Sequence, residues 1–347
     1  MSNNDQLQSD ISALRSKLSE LEKGTRLTAV RDAVEDIQSL VNGFKQQVAE
    51  LRSRGYVFGK NFESQSASLP RQWAQMSANI HAQVNAQAAR LQNAFTPLQS
   101  RAAALSNPAQ AAVVYKQLKP QADAVEAQVK AAEDQLKGMY NTFESDVKHF
   151  DWQIYEAKNV LDQLDEATFK LLATESGVAA VKAVFVKDGK EDKEDPDGVL
   201  ILTDQRLIFE QKEEIATKKI LFITTEKQKV QKVQFEVPVE QIESVTPSKQ
   251  GLFKHEDNLE LTLSSGAPYP KVRFHIWQTA EEWQAHINRV RTRDIDKDRA
   301  VAVDASAVAK VKSAPSQCPQ CGGNISQVVL RGQDNIKCEF CGFVIRL

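Results

Sequence analysis

The chain has 347 residues, 26% of them charged, and a formal net charge of −2. That length accommodates two or three domains, and the near balance of charge removes a generally basic, nucleic-acid-coating protein as the default. No apolar run approaches the ~20 residues a bilayer-spanning helix needs, and the polar start MSNNDQLQSD carries no signal peptide, so the expectation is a cytoplasmic protein with peripheral membrane contact left open.

Residues 1–172 read as an elongated helical coiled-coil region. Leu7, Ile11, Leu14, Leu18 and Leu21 follow a 4-3-4-3 spacing. Gly24 interrupts it, and Val30, Val34, Ile37, Val41, Phe44, Val48 and Leu51 resume it. This is the seam pattern of a coiled coil, and about 50 such residues would make a helix roughly 75 Å long. The stretch RSRGYVFGKNFESQSASLP is too irregular for helix, and Pro70 suits a first helical turn. Trp73, Met76, Ile80, Val84, Ala88, Leu91 and Phe95 mark the next face, with joints at Thr96-Pro97 and Asn107-Pro108. From about Pro120 a further long helix carries Val125, Val129, Ala132, Leu136, Tyr140, Phe143, Val147, Phe150, Ile154, Leu161 and Leu164. The stripes serve either an antiparallel bundle within one chain or self-association with a second copy or partner. A membrane-lying helix fits less well, because the polar faces mix both signs of charge.

The pattern changes near Gly177. AAVKAVFV has strand composition, KDGKEDKEDPDG is a charged loop, and GVLILTDQRLIFEQ reads as two strands joined at Thr203-Asp204-Gln205. Asp204 is expected to bond backbone amides two residues on. Phe235, Val237 and Val239 make one apolar face, Leu259, Leu261 and Leu263 another, and Val272, Phe274 and Ile276 a third. Pro238 places its strand at a sheet edge. TAEEWQAHINRVR reads as a helix with Thr279 as N-cap, Glu282 completing a capping box, and Trp283, Ile287 and Val290 facing inward. His255-Glu256-Asp257 reads as a turn.

The hairpin GVLILTDQRLIF, the strand FEVPVEQIESV and the Trp-bearing last helix resemble the pleckstrin-homology-like superfold, in particular its bacterial and GRAM-type members, over residues 173–293. The resemblance implies a small barrel that docks on lipid headgroups, peptides or proteins. Lipid-binding members usually carry basic residues in the first inter-strand loop. Here Asp188, Glu191, Asp192, Glu194, Asp195 and Asp197 outnumber Lys187, Lys190 and Lys193, which argues against a phosphoinositide at that loop. Lys218, Lys219, Lys227, Lys229 and Lys232 cluster around ILFITTEKQKV. They suit a solvated edge that resists strand-to-strand aggregation, or a weak contact with an anionic surface.

Residues 294–316 are small and mixed in charge, and read as a flexible linker. Residues 317–347 hold every cysteine of the chain: Cys318, Cys321, Cys338 and Cys341, as two Cys-x-x-Cys pairs with sixteen residues between them. That is metal-ligand spacing. A thioredoxin-like pair needs a strand–helix context that the tail lacks, and disulfides suit secreted chains. The knuckles CPQCG and CEFCG resemble the zinc-ribbon family, with Gly322, Gly323 and Gly342 supplying backbone freedom. A closed four-thiolate site is structural, with no position open to substrate, and Val328, Val329, Ile336, Phe340, Phe343 and Ile345 are the expected apolar filling.

Phosphate-loop, nucleophile-elbow and zinc-protease motifs are absent from the sequence. His81, His149, His255, His275 and His286 are scattered. The reading is therefore a multidomain α+β protein that is not an enzyme and takes no small-molecule substrate. It is an adaptor or scaffold that assembles through its helices, docks on a protein partner or an anionic membrane surface, and carries structural Zn2+. The alternative is a nucleic-acid-associated regulator that makes contact through the ribbon.

Overall fold

The computed structural model describes residues 3–107, 110–186, 191–220, 223–250 and 256–347, with side chains described for all of these except 3, 4 and 215–227. The backbone divides into two compact units: Met1–Gln47 with Glu63–Trp152, and Val48–Phe62 with Gln153–Leu347.

There are five long helices among the described residues: α1 (Asn3–Gly24), α2 (Thr28–Ser53), α3 (Phe62–Ala102), α4 (Ala111–Gly138) and α5 (Asn141–Asp165); they make up the first unit except for Val48–Ser53 of α2, Phe62 of α3 and Gln153–Asp165 of α5, which belong to the second. The expected helix of about 50 residues is two helices. The break is a tight turn in which Leu27 takes a φ of 54°, an uncommon conformation for a bulky residue. Gly24 ends α1 where α1 meets α4; a Cβ there would stand 3.1 Å from Val129. The apolar stripes are buried as the heptads require: Ile11, Leu14, Leu18 and Leu21 on α1, Val34, Ile37, Val41 and Phe44 on α2, and Ile80, Val84 and Leu91 on α3. Trp73 stacks on Phe143 at 5.5 Å and donates its indole N–H to Gln38 Oε1 at 2.9 Å. These stripe residues are buried within the chain, as the antiparallel-bundle alternative expects.

Proline positions differ from expectation. Pro70 and Pro97 lie inside α3 and Pro120 inside α4. Proline removes a helical hydrogen bond, but Pro97 and Pro120 are on the exposed face, where water can satisfy the freed carbonyl. The helix after the break therefore starts at Phe62. Pro108 and His255 lie outside the described residues.

In the second unit, seven antiparallel strands pair in the order β4-β3-β2-β1-β7-β6-β5. They are β1 (Gly177–Val186), β2 (Asp197–Thr203), β3 (Arg206–Ile220), β4 (Ile223–Pro238), β5 (Ile242–Gln250), β6 (Glu256–Leu263) and β7 (Lys271–Ile276). Alternation sends Phe235, Val237, Leu259, Leu261, Phe274 and Ile276 into one core, where Phe185 stacks on Phe274 at 5.2 Å. α6 (Ala280–Arg291) seals that core with Trp283, Ile287 and Val290, all fully buried. Several strands followed by one closing helix is the element order the sequence led us to expect. Pro238 ends β4, an edge strand, as expected.

Two local expectations are corrected. Thr279 makes no side-chain cap bond; Asp257 Oδ1 instead accepts the Ala280 N–H at 3.0 Å from the neighbouring strand. At the β2–β3 turn, Thr203 Oγ1 accepts the Gln205 and Arg206 amides. The Asp204 carboxylate turns away to the Ser176 N–H and the Arg299 guanidinium.

The segment read as a flexible linker is anchored. Asp294–Asp298 form a 3-10 turn with Ile295 buried. Arg299 binds Asp204 and lies over the Phe58 ring at 4.9 Å, and the Ala300 N–H donates to the Val57 carbonyl at 2.8 Å. α7 (Ala305–Ser313) follows, capped by Asp304. Ile295 and Arg299, isolated in a small polar stretch, carry too little pattern to announce this anchoring.

Candidate metal centre

Two matched turns build the centre. The Gly322 N–H donates to the Cys318 carbonyl at 2.8 Å, and the Gly342 N–H to the Cys338 carbonyl at 2.9 Å. Gly322 and Gly342 have φ of 71° and 75°, which glycine adopts without strain. Gly323 serves differently: its φ is not positive, and a Cβ there would sit 2.6 Å from the Phe340 ring. β8 (Asn335–Lys337) and β9 (Val344–Arg346) pair around Ile336–Ile345 and hold the second turn in place.

The four sulfurs lie within 4.8 Å of one another, and both Cys318–Cys341 and Cys321–Cys338 stand 3.7 Å apart. A disulfide requires about 2.05 Å. Four sulfurs about 2.3 Å from a central ion form a tetrahedron with edges of about 3.8 Å. The spacing fits a metal ion and not a bridge. Among the thiols themselves, the Cys341 amide brings Cys338 down to about 7. Cys341, though drawn down by the Phe343 amide, is pushed up to about 12 by burial and by its sulfur neighbours. Four thiolates at this spacing repel one another, and a divalent cation at their centre relieves that repulsion.

The filling is smaller than expected. Val329, Ile336 and Ile345 are buried, but Phe340 is 71% exposed, Val328 59% and Phe343 41%. Three small side chains cannot hold such a module without help.

The tail is also seated. Leu330 bridges Leu172 in an antiparallel rung, the Arg331 N–H donates to the Leu171 carbonyl at 2.8 Å, and the Ala173 N–H to the Val329 carbonyl at 2.9 Å. The Arg331 guanidinium donates to the Glu175 carbonyl. The Glu175 side chain is fully buried. Its carboxylate receives Arg206 through Nε at 2.9 Å and Nη2 at 2.5 Å, the Thr203 hydroxyl at 2.6 Å, and the Leu172 N–H at 2.7 Å. Arg206 also reaches Glu236 at 2.6 Å. Burial opposes the Arg206 charge, but Glu175 and Glu236 hold its pKa above the ordinary arginine value. Burial pushes the Asp204 carboxyl up, opposed by the Ser176 amide and Arg299. Sequence reasoning missed Glu175, Arg206, Arg299 and Arg331. The available signal was Arg206, a charge inside the apolar hairpin GVLILTDQRLIF.

Of the lysine cluster, the side chains of Lys229 and Lys232 are described. In the β3–β4 register Lys229 stands opposite Glu214, so one of these lysines has an acid across from it. Lys229 and Lys232 are three apart in regular pairing and fall on opposite faces; both are exposed. The backbones of Lys218, Lys219 and Lys227 pair in this hairpin, and their side chains lie outside the described residues. Among the described residues, His275 Nδ1 meets Glu191 at 2.8 Å, and His286 stands 3.8 Å from Glu156. Among the described residues, no helix is long and apolar enough to cross a membrane.

No protein-family model matches the chain, and no curated protein matches it by sequence. Solved structures that align with it include the DH/PH domains of PDZ-RhoGEF in complex with GTP-γ-S-activated RhoA, at 11% identity and a TM-score of 0.26, over 84% of this chain and 96% of that one. A mutant form of the p115-RhoGEF DH/PH domains aligns at 9% identity and a TM-score of 0.23, over 82% and 97% of the two chains. Another p115-RhoGEF DH/PH structure aligns at 10% identity and a TM-score of 0.18, over 84% and 95%.

Proposed function

We propose that the chain is a non-enzymatic adaptor in which a structural zinc ion, held by Cys318, Cys321, Cys338 and Cys341 as a zinc ribbon, presents a contact surface for a protein partner beside a pleckstrin-homology-like, GRAM-type barrel. When bound, zinc supplies a closed tetrahedral cross-link and leaves no coordination position for substrate. The chain's own residues do the rest: Gly322 and Gly342 shape the turns that carry the cysteines, and the buried Ile336 and Ile345 pair across β8 and β9.

The observation that carries this reading is the exposure of Phe340, Phe343, Val328 and Val344 on the ribbon. Aromatic side chains are enriched where partners meet. Self-association through the helices is the weaker arm, because their stripes are buried in the chain. An anionic membrane surface is weaker too, because Glu214 stands opposite Lys229 in the hairpin.

The test is affinity capture with the wild type and a Phe340→Ser/Phe343→Ser variant, both shown to carry one zinc. Proteins retained by the wild type and lost from the variant support the reading; equal retention by both refutes it. The exposed aromatics flanked by Lys337 and Arg346 also suit stacked nucleic-acid bases. Retention of RNA that falls steeply with salt and is lost in the same variant would select that second reading.

A further inference from the structure

We infer that a metal ion held by the four cysteines latches the lead-in to the seven-stranded sheet, so that metal loading controls access to the cavity beside it. The inference rests on the metal reading above and adds a consequence for the rest of the second unit.

The path is contiguous. The ribbon buries few apolar side chains, and its order comes from the thiolates. That order fixes residues Val329–Arg331, which lie along Leu171–Ala173 in one antiparallel rung with backbone bonds of 2.8 and 2.9 Å. Arg331 then clamps the Glu175 carbonyl. Glu175 is shared between two roles: its carbonyl serves the ribbon, and its carboxylate holds Arg206, Thr203 and the Leu172 amide. Arg206 and its partner Glu236 line a cavity of about 600 Å³, whose walls include Leu172 on the lead-in and Val328 on the ribbon. The ribbon is therefore one wall of the cavity and also the brace for another.

The Arg331 guanidinium is committed to a backbone carbonyl of the lead-in. A charged donor on a carbonyl is a strong hydrogen bond, and its geometry depends on the ribbon strand staying in register. Loss of the ion releases that strand, frees Leu171–Glu175 to open locally, and loosens the Arg206 wall. Local opening of this kind is read directly by amide exchange.

The experiment uses the reduced full-length protein, with zinc counted per chain, followed by hydrogen–deuterium exchange before and after a zinc chelator. Chelation is expected to speed exchange about tenfold across residues 168–177 and 203–207, the scale of one charged hydrogen bond, while α1 and α4 are unchanged. Arg331→Ala, still carrying one zinc, is expected to show the same acceleration at 168–177 without chelation. If that variant loses zinc, Arg331→Lys replaces it, keeping the charge but not the guanidinium's forked reach. Unchanged exchange at 168–177 after confirmed zinc release overturns the latch and leaves the metal centre standing. A reduced chain that holds no zinc at the outset overturns the metal reading and the latch together.

Discussion

Glu175 sits where the ion-pair network, the β2–β3 turn and the ribbon seat meet, fully buried and bonded to Arg206, Thr203 and Leu172. Burying a charge is tolerable when it is paired and its lone pairs are filled, and both conditions hold here. Removing the carboxylate leaves Arg206, itself only about a tenth exposed, with Glu236 as its remaining ion-pair partner. Glu175→Ala is expected to destabilise the second unit by about 3 kcal/mol, seen as a lower urea midpoint, with a smaller loss for Glu175→Gln, which retains an acceptor. An unchanged midpoint in Glu175→Ala would mean the network contributes nothing net. No helix or strand pattern exposes this residue in the sequence, because TESG reads as an ordinary polar turn. The four cysteines were legible for the opposite reason: ligand chemistry ties residue type and spacing to function.

At the scale of elements, strands and the last helix were legible because alternation and a 3.6-residue period directly state which face is buried. Phe235, Leu259, Phe274 and Trp283 all point where their phase puts them. Cap chemistry was less legible. Thr279 has the composition of a cap, yet Asp257 from another strand takes the bond, and a sequence window does not see across strands. Prolines misled for a related reason, since exposure and not identity decides whether a helix tolerates them. α7 has a cap of the expected kind: Asp304 Oδ1 accepts the Ser306 N–H at 2.8 Å. Hydrogen bonds from Ser306, first from its side chain and then from its backbone, hold the Asp304 carboxyl below the usual carboxylate range. A carboxylate with a depressed folded-state pKa stabilises above its ordinary pKa and loses that contribution as pH falls through the depressed value. The amide resonances of Ser306 and Ala307 are expected to move on acidification below about pH 4, and to be insensitive in Asp304→Asn. A titration identical in both proteins would exclude the cap.

Across the whole molecule, each part has a different source of order. The helices bury their own stripes, the seven-stranded sheet closes around an aromatic core, and the tail has four sulfurs in place of a core. Residues 294–316 looked like a tether, and the C-terminal module looked independent of what precedes it. The seat on Leu171–Ala173 and the Arg299–Asp204 pair instead make both part of the second unit. Cys338→Ser is therefore expected to disorder the tail and also to weaken the sheet, while leaving helix content nearly intact. The metal is the hinge of that expectation, and native mass spectrometry of the reduced full-length protein tests it most directly. One zinc ion per chain is expected in the wild type and none in Cys338→Ser; a wild-type chain free of metal whose residues 317–347 nonetheless stay ordered would contradict the metal centre.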